Sequence, residues 1–453
     1  RWSNGDPVTS ADFVFAWQRI LQPSTASEYV DMLFDLAGAK AYYNTLAVGK
    51  STPFSTVGVT APDQWTLVVH LSQPCSYFLG LTAFPPYFPL NRKAMQPFIQ
   101  SSDDGPATYN PLWTHPPNLV SNGAYQLADW KFHQYLDMTP NQFYWDHENV
   151  RCERIRIASE DPTTAFLAYH SGLINVLSFV PPDFAHQLLE QQAQGRRDDI
   201  HYVSVFGTYF YYFNCRHKPL NDPRVREALD LVVDKQKIVQ DVLELPDKPL
   251  NVLVPPNMIP GYQSPDGMSM NIVLAQQLLA QAGYPDGRGF PTLTLLINGE
   301  NTIAPHARIA QAIQAMWKTE LNININIEQM ESSVFRQQTL KGNYDIASGD
   351  WYGDYIDPTT WLDLFRSENP NNISKFSDPA FDSLMLHSDA QADPSARMAT
   401  LRSAEAILVD QEFPAMPLYQ MSDGMMYDPQ KIGGIDPNIR FLTLLKYMHW
   451  IDR

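Results

Sequence analysis

The residues best placed to do chemistry lie in 349–361, Gly-Asp-Trp-Tyr-Gly-Asp-Tyr-Ile-Asp-Pro-Thr-Thr-Trp. Asp354 can hold a ligand's positive charge, and Asp350 with Asp354 would be the carboxylate pair of a peptide hydrolase. Gly349 and Gly353 let a second backbone approach closely, and Trp351 and Tyr352 offer broad apolar faces. The alternative is structural, with Asp354 capping a turn and the aromatics in a core; spacing alone leaves both readings open. Other catalytic signals are missing. There is no His-Glu-x-x-His, no Gly-x-Ser-x-Gly and no phosphate-binding Gly-x-x-x-x-Gly-Lys-Ser/Thr. The eleven histidines are scattered without metal-ligand spacing, so neither a metal nor a cofactor is expected.

The elements around this stretch explain why it would be presented. Tyr344-Asp345-Ile346-Ala347 reads as a buried strand, and Asp357-Pro358 is a helix start, an N-cap followed by proline. Ligands of open α/β sheets sit just beyond the carboxyl ends of strands, where such a crossover lies. Upstream, residues 293–297 and 323–327 read as strands alternating with helices over 304–317 and 334–340. That succession predicts a mostly parallel sheet flanked by helices, an α/β fold. Residues 202–214 form a long strand carrying Tyr209, Phe210, Tyr211, Tyr212 and Phe213, a run expected to be buried on both faces. Helices are expected from Pro223, over 275–281, 379–388 and 394–411, and further strands beyond Met416. The first half is looser, with strands at 65–71, 123–130, 134–139 and 155–157, and an exposed insertion at 101–108.

Composition bounds the rest. A chain of 453 residues is too long for one core. A net charge of −17 disfavours nucleic acid and anionic membrane surfaces as partners. Cys75, Cys152 and Cys215 are far apart and odd in number, which rules out a disulfide scaffold. The opening residues carry no apolar export signal, yet Thr9 and Asp12 already form a capping box; the chain is expected to begin partway through its fold.

Trp2-Ser3-Asn4-Gly5-Asp6-Pro7-Val8-Thr9, Asp12-Phe13-Val14 and Trp17-Gln18-Arg19 resemble the solute-binding proteins of peptide ABC transporters, oligopeptide-binding branch. The resemblance continues in order through Asn122-Gly123-Ala124-Tyr125, Asn141-x-x-Tyr144-Trp145-Asp146, Asn221-Asp222-Pro223-Arg224-Val225-Arg226, Ala282-Gly283-Tyr284, 351–358 and Asp378-Pro379-Ala380-Phe381-Asp382. It implies an α/β, two-lobed type II periplasmic-binding-protein fold with a small extra domain. The expected division is an extra domain over 1–110, a first lobe over 111–206 completed by 421–453, and a second lobe over 207–420. The resemblance leads one to expect roughly 80 further residues of the family pattern ahead of this point, within a fold of multidomain size.

The resemblance also implies the ligand, partners and place of action. It expects a monomer in the periplasm or otherwise outside the cytoplasm, lipid-anchored in some members, that hands short peptides to membrane permease subunits. It places 349–353 as a strand pairing with the peptide backbone, Asp354 on the peptide's α-amino group and Tyr29 at the ligand cleft. Tyr209 and Tyr211 are candidate ligand contacts, beside their reading as core. His306 is kept from the family and would meet a carboxylate when protonated, so affinity should fall as pH rises from roughly 5.5 to 8. Its plainer reading is a surface histidine at a helix start. Several family positions differ: Gly207 and Tyr352 stand where relatives place a disulfide, and Leu243, Thr339 and Ser348 where they place basic residues. Tyr212 replaces a glutamate and Ser332 a tryptophan. The ligand class is therefore open between a peptide, a non-peptide solute such as a metal chelate or a murein-derived molecule, and, last, a hydrolase substrate.

Overall fold

The computed structural model describes residues 1–100, 108–299 and 305–451. Most of the insertion expected at 101–108 lies outside the described residues. By packing, the chain forms two units: Arg1–Asp161 with Pro429–Asp436 and Thr443–Arg453, and Pro162–Asp428 with Pro437–Leu442.

In the first unit, helix α1 (Ser10–Ile20) starts at the expected capping box, where the Thr9 backbone N–H donates to Asp12 Oδ2 at 2.8 Å. The indole of buried Trp2 bonds the same carboxylate, and Trp17 Nε1 on α1 donates to the Tyr87 carbonyl at 2.9 Å. Strands β1 (Tyr125–Lys131), β2 (Tyr135–Pro140) and β3 (Ile155–Ala158) make an antiparallel sheet. Asn141, fully buried, ties the end of β2 back to the Gly123 carbonyl at 3.0 Å. The strand expected over 65–71 shrinks to Val68–Val69, because only that pair finds a partner strand.

The second unit is built on seven strands: β4 (Val176–Leu177), β5 (Ile200–Phe213), β6 (Lys248–Pro249), β7 (Leu293–Asn298), β8 (Ile325–Met330), β9 (Ile346–Tyr352) and β10 (Ala415–Tyr427). Their order is β6-β10-β5-β9-β7-β8, with β4 on β10. The sheet is mixed, which corrects the expectation of a mostly parallel one. Only β7 runs parallel to its neighbours β8 and β9, while β5 and β10 pair antiparallel. Helical crossovers enforce parallel pairing only within β7, β8 and β9. The long strands come from distant parts of the chain and carry no such constraint.

The aromatic run of β5 is buried on both faces, as period-two alternation requires. Tyr209, Tyr211 and Phe213 pack beneath helices α2 (Pro223–Leu231), α3 (Ile272–Gln281) and α4 (His306–Leu321). Phe206, Phe210 and Tyr212 pack with Trp361, Phe365, Phe381 and Leu401 on the opposite face. Phe166, Leu177 and Leu188 share a core with Ile200 and Met426, so 162–206 pack with the seven-stranded sheet.

Candidate functional site

The carboxyl end of β9 delivers the 349–354 stretch. Gly353 N–H donates to the Phe206 carbonyl at 2.7 Å and Asn214 N–H to the Asp345 carbonyl at 2.9 Å, so odd-numbered residues of β9 bond β5. Backbone groups alternate between the two edges of an antiparallel strand, which turns those of Ser348, Asp350 and Tyr352 toward the other edge. There β7 pairs only with Ile346 and Ala347, and its last link is Asn298 N–H to Ser348 Oγ at 3.4 Å. Beyond that point no strand among the described residues covers the edge of β9.

Glycine is required twice here for space. A Cβ on Gly349 would lie 2.6 Å from the Tyr212 ring, which fills the hollow above it. A Cβ on Gly353 would lie 2.3 Å from Phe206 and 2.8 Å from Trp361, two rings packed edge to face at 4.5 Å. Neither ring can swing away cheaply in a filled core. Gly353→Ala should therefore lower unfolding stability by about 1–3 kcal/mol in urea titrations, and an unchanged midpoint would show that the rings yield.

After Gly353 the chain turns. Half-buried Asp354 donates its backbone N–H to Thr360 Oγ1 at 3.1 Å, and Trp351 Nε1 donates to the same hydroxyl at 3.3 Å. Asp357 closes the turn as a cap: its Oδ1 accepts from Thr359 N–H at 3.1 Å and Thr359 Oγ1 at 2.8 Å. Its charge meets buried Arg397 through two hydrogen bonds of 2.6 and 3.0 Å. The turn carrying Asp354 is thus fixed from both sides.

Tyr209 and Tyr211 are fully buried, the placement their core reading required. Tyr209 nonetheless shares a 2.6 Å hydrogen bond with His306 Nδ1 at the start of α4. His306 is itself buried, which overturns its reading as a surface histidine. Burial pushes its pKa down to about 4, so without a ligand it is neutral throughout the range in which it was expected to titrate. Neutral His306 can still bond a ligand through Nε2, but its own titration falls near pH 4. Tyr352 lies over Gly207 and donates its hydroxyl to Asp423 Oδ1 at 3.3 Å. Tyr29 belongs to the first unit, partly exposed and edge-on to Phe84 at 5.4 Å. Of the positions that lost basic residues, Leu243 is core and Thr339 bonds carbonyls of its own helix.

Sequence reading missed Asp247 and Asp423. Asp247 accepts from Ser422 N–H at 2.6 Å and Ser422 Oγ at 2.7 Å, and burial pushes its pKa to about 7. Asp423 is raised to about 6 by burial, with repulsion from Asp350 adding to it. No sequence signal joins these three aspartates, which meet only when β9 and β10 flank β5.

The sequence pattern of bacterial extracellular solute-binding proteins, family 5, matches residues 1–372. The chain belongs to that family. It is similar to the periplasmic murein peptide-binding protein MppA of Escherichia coli, 32% identical over 438 residues, covering 95% of this chain and 76% of that protein. It is similar also to the oligopeptide-binding protein OppA of Bacillus subtilis, 30% identical over 446 residues, 96% of this chain and 78% of that one. Among solved structures, a periplasmic oligopeptide-binding protein of Borrelia burgdorferi, OppAIV, superposes with a TM-score of 0.84 at 29% identity, covering 100% of this chain and 86% of that one. Such neighbours share the type II periplasmic-binding-protein fold with mixed α/β content. Family 5 is a family of solute-binding proteins, and no helix among the described residues is long and apolar enough to cross a membrane.

Proposed function

We propose that this chain is the extracytoplasmic substrate-binding component of an ABC transporter, capturing short peptides and passing them to membrane permease subunits. The observation that carries the reading is the edge of β9 beyond Ala347, paired by no strand among the described residues, which leads into Asp354. A peptide added along that edge would pair its backbone with Asp350 and Tyr352, an interaction indifferent to peptide sequence. Its free ammonium would then reach Asp354, while His306 Nε2 remains the candidate contact for its other groups. A carboxylate that the bound peptide buries selects strongly for an ammonium because either charge alone would be costly there. The names of the relatives, murein peptide-binding and oligopeptide-binding, agree with this class of ligand.

Closure of the protein around the bound peptide belongs to the same proposal. Action as a monomer in the periplasm is part of it as well. A second reading, a murein-derived or other non-peptide solute, draws on the loss of basic residues at Leu243, Thr339 and Ser348. Incubating the purified protein with mixed peptides and identifying retained species by mass spectrometry separates the readings. Intact peptides are expected. Retention of non-peptide solutes alone would replace the peptide assignment, and cleaved fragments would reinstate a hydrolase.

A further inference from the structure

Three rungs of the β5–β9 ladder stand side by side: Tyr211 opposite Ser348, Tyr209 opposite Asp350, and Gly207 opposite Tyr352. Residues two apart along a strand share a face, so these side chains form one row. Two buried polar atoms on or beside this row have no hydrogen-bond partner among the described residues: the Tyr211 hydroxyl, and Nε2 of His306 on α4. Their residues are 0% and 5% exposed. The His306 ring is held by Tyr209, the residue directly opposite Asp350. Buried polar groups are nearly always bonded to something, so a row with two open ones is built to receive a polar occupant.

The charge on this row is negative and uncompensated. Asp350 keeps solvent access, yet the protein packed around its carboxyl raises its pKa, and no side chain among the described residues bonds it. Asp423, bonded to Tyr352, lies close enough to Asp350 to feel its charge, and Asp247 in turn feels Asp423. Their hydrogen-bond donors are neutral: Tyr352 for one, Ser422 for the other. No group of three or more acidic, histidine or cysteine residues among the described residues is arranged to hold a metal ion. The cation that fits is therefore organic, an ammonium or guanidinium that bonds carboxylate and phenol oxygens together.

We propose that Asp350, backed by Asp423 and Tyr352, receives a second positive charge on the ligand, a basic side chain beyond the ammonium assigned to Asp354. The inference rests on reading this face as the ligand site and narrows the ligand to basic short peptides. Lysine is the natural carrier at the position adjoining Asp350. Norleucine has a similar apolar stem without the charge, which makes the pair a clean probe.

The test offers protein stripped of bound solutes an equimolar library of tripeptides. Members differ only in lysine or norleucine at each position, and non-peptide diamines are included. Retained species are then counted by mass spectrometry. Lysine-bearing members should exceed their norleucine counterparts by about tenfold or more at one position, and Asp350→Asn should collapse that ratio toward one. Asp423→Asn should reduce it by a smaller factor, a second readout should Asp350→Asn fail to fold. Peptides retained without preference for lysine would overturn the second-charge assignment and leave the peptide reading standing. Diamines retained without peptides would do the reverse. A lysine preference that survives both substitutions would place the second charge elsewhere, and retention of nothing would overturn both.

Discussion

Arg397→Met should cost about 3–5 kcal/mol of unfolding stability, because it strands the Asp357 carboxylate in the core without its partner. The pair is buried at both ends, with side chains 4% and 2% exposed, so water cannot replace the guanidinium. Asp357 also bonds Thr359 at the start of the helix that follows the Asp354 turn, and a displaced Asp357 would loosen Thr359 as well. Ligand affinity should therefore fall together with stability, although Arg397 is not assigned any ligand contact. Pairing Arg397→Met with Asp357→Leu should recover part of the loss, since a buried ion pair can be replaced by apolar groups more safely than halved. Urea unfolding of the two variants decides the matter. A loss below about 1 kcal/mol in the single variant would mean that water reaches Asp357 after all.

Asp354→Asn keeps the side chain's shape and removes its charge, so a free-amine peptide should bind about 2–5 kcal/mol more weakly. An N-acetylated peptide has no ammonium to lose and should bind weakly to both proteins. Calorimetry with the two peptides on the two proteins gives the coupling directly. Equal affinity of wild type and Asp354→Asn for the free-amine peptide would remove Asp354 from the site. The two variants also report on different things. Arg397→Met acts through stability, and Asp354→Asn should leave the unfolding midpoint nearly in place.

Local patterns were legible in the sequence where they dictate local structure. Thr9 and Asp12 announced the cap of α1, Asp222-Pro223 the start of α2, and the aromatic run a strand buried on both faces. Pairing direction was not legible, because the partner of a strand is chosen by the fold and β5 finds β9 and β10 far along the chain. His306 shows the same limit at the site. Its position at a helix start could be read, but its burial depends on Tyr209, 97 residues away in sequence. The acidic row was half visible: Asp350 stood beside Asp354, while Asp423 and Asp247 could join it only through the sheet order.

The ring of Tyr212 in the hollow over Gly349 links two positions that are 137 apart (349 − 212) in the chain and lie diagonally to one another on neighbouring strands. While tyrosine occupies 212, the segment proposed to lie along the ligand backbone is confined to glycine at 349. A slimmer residue at 212 would have to arise before 349 could acquire a side chain. The order of mutational steps by which this binding surface can diversify is thus constrained by an aromatic residue on the core side of the sheet, one that has no need to touch the ligand.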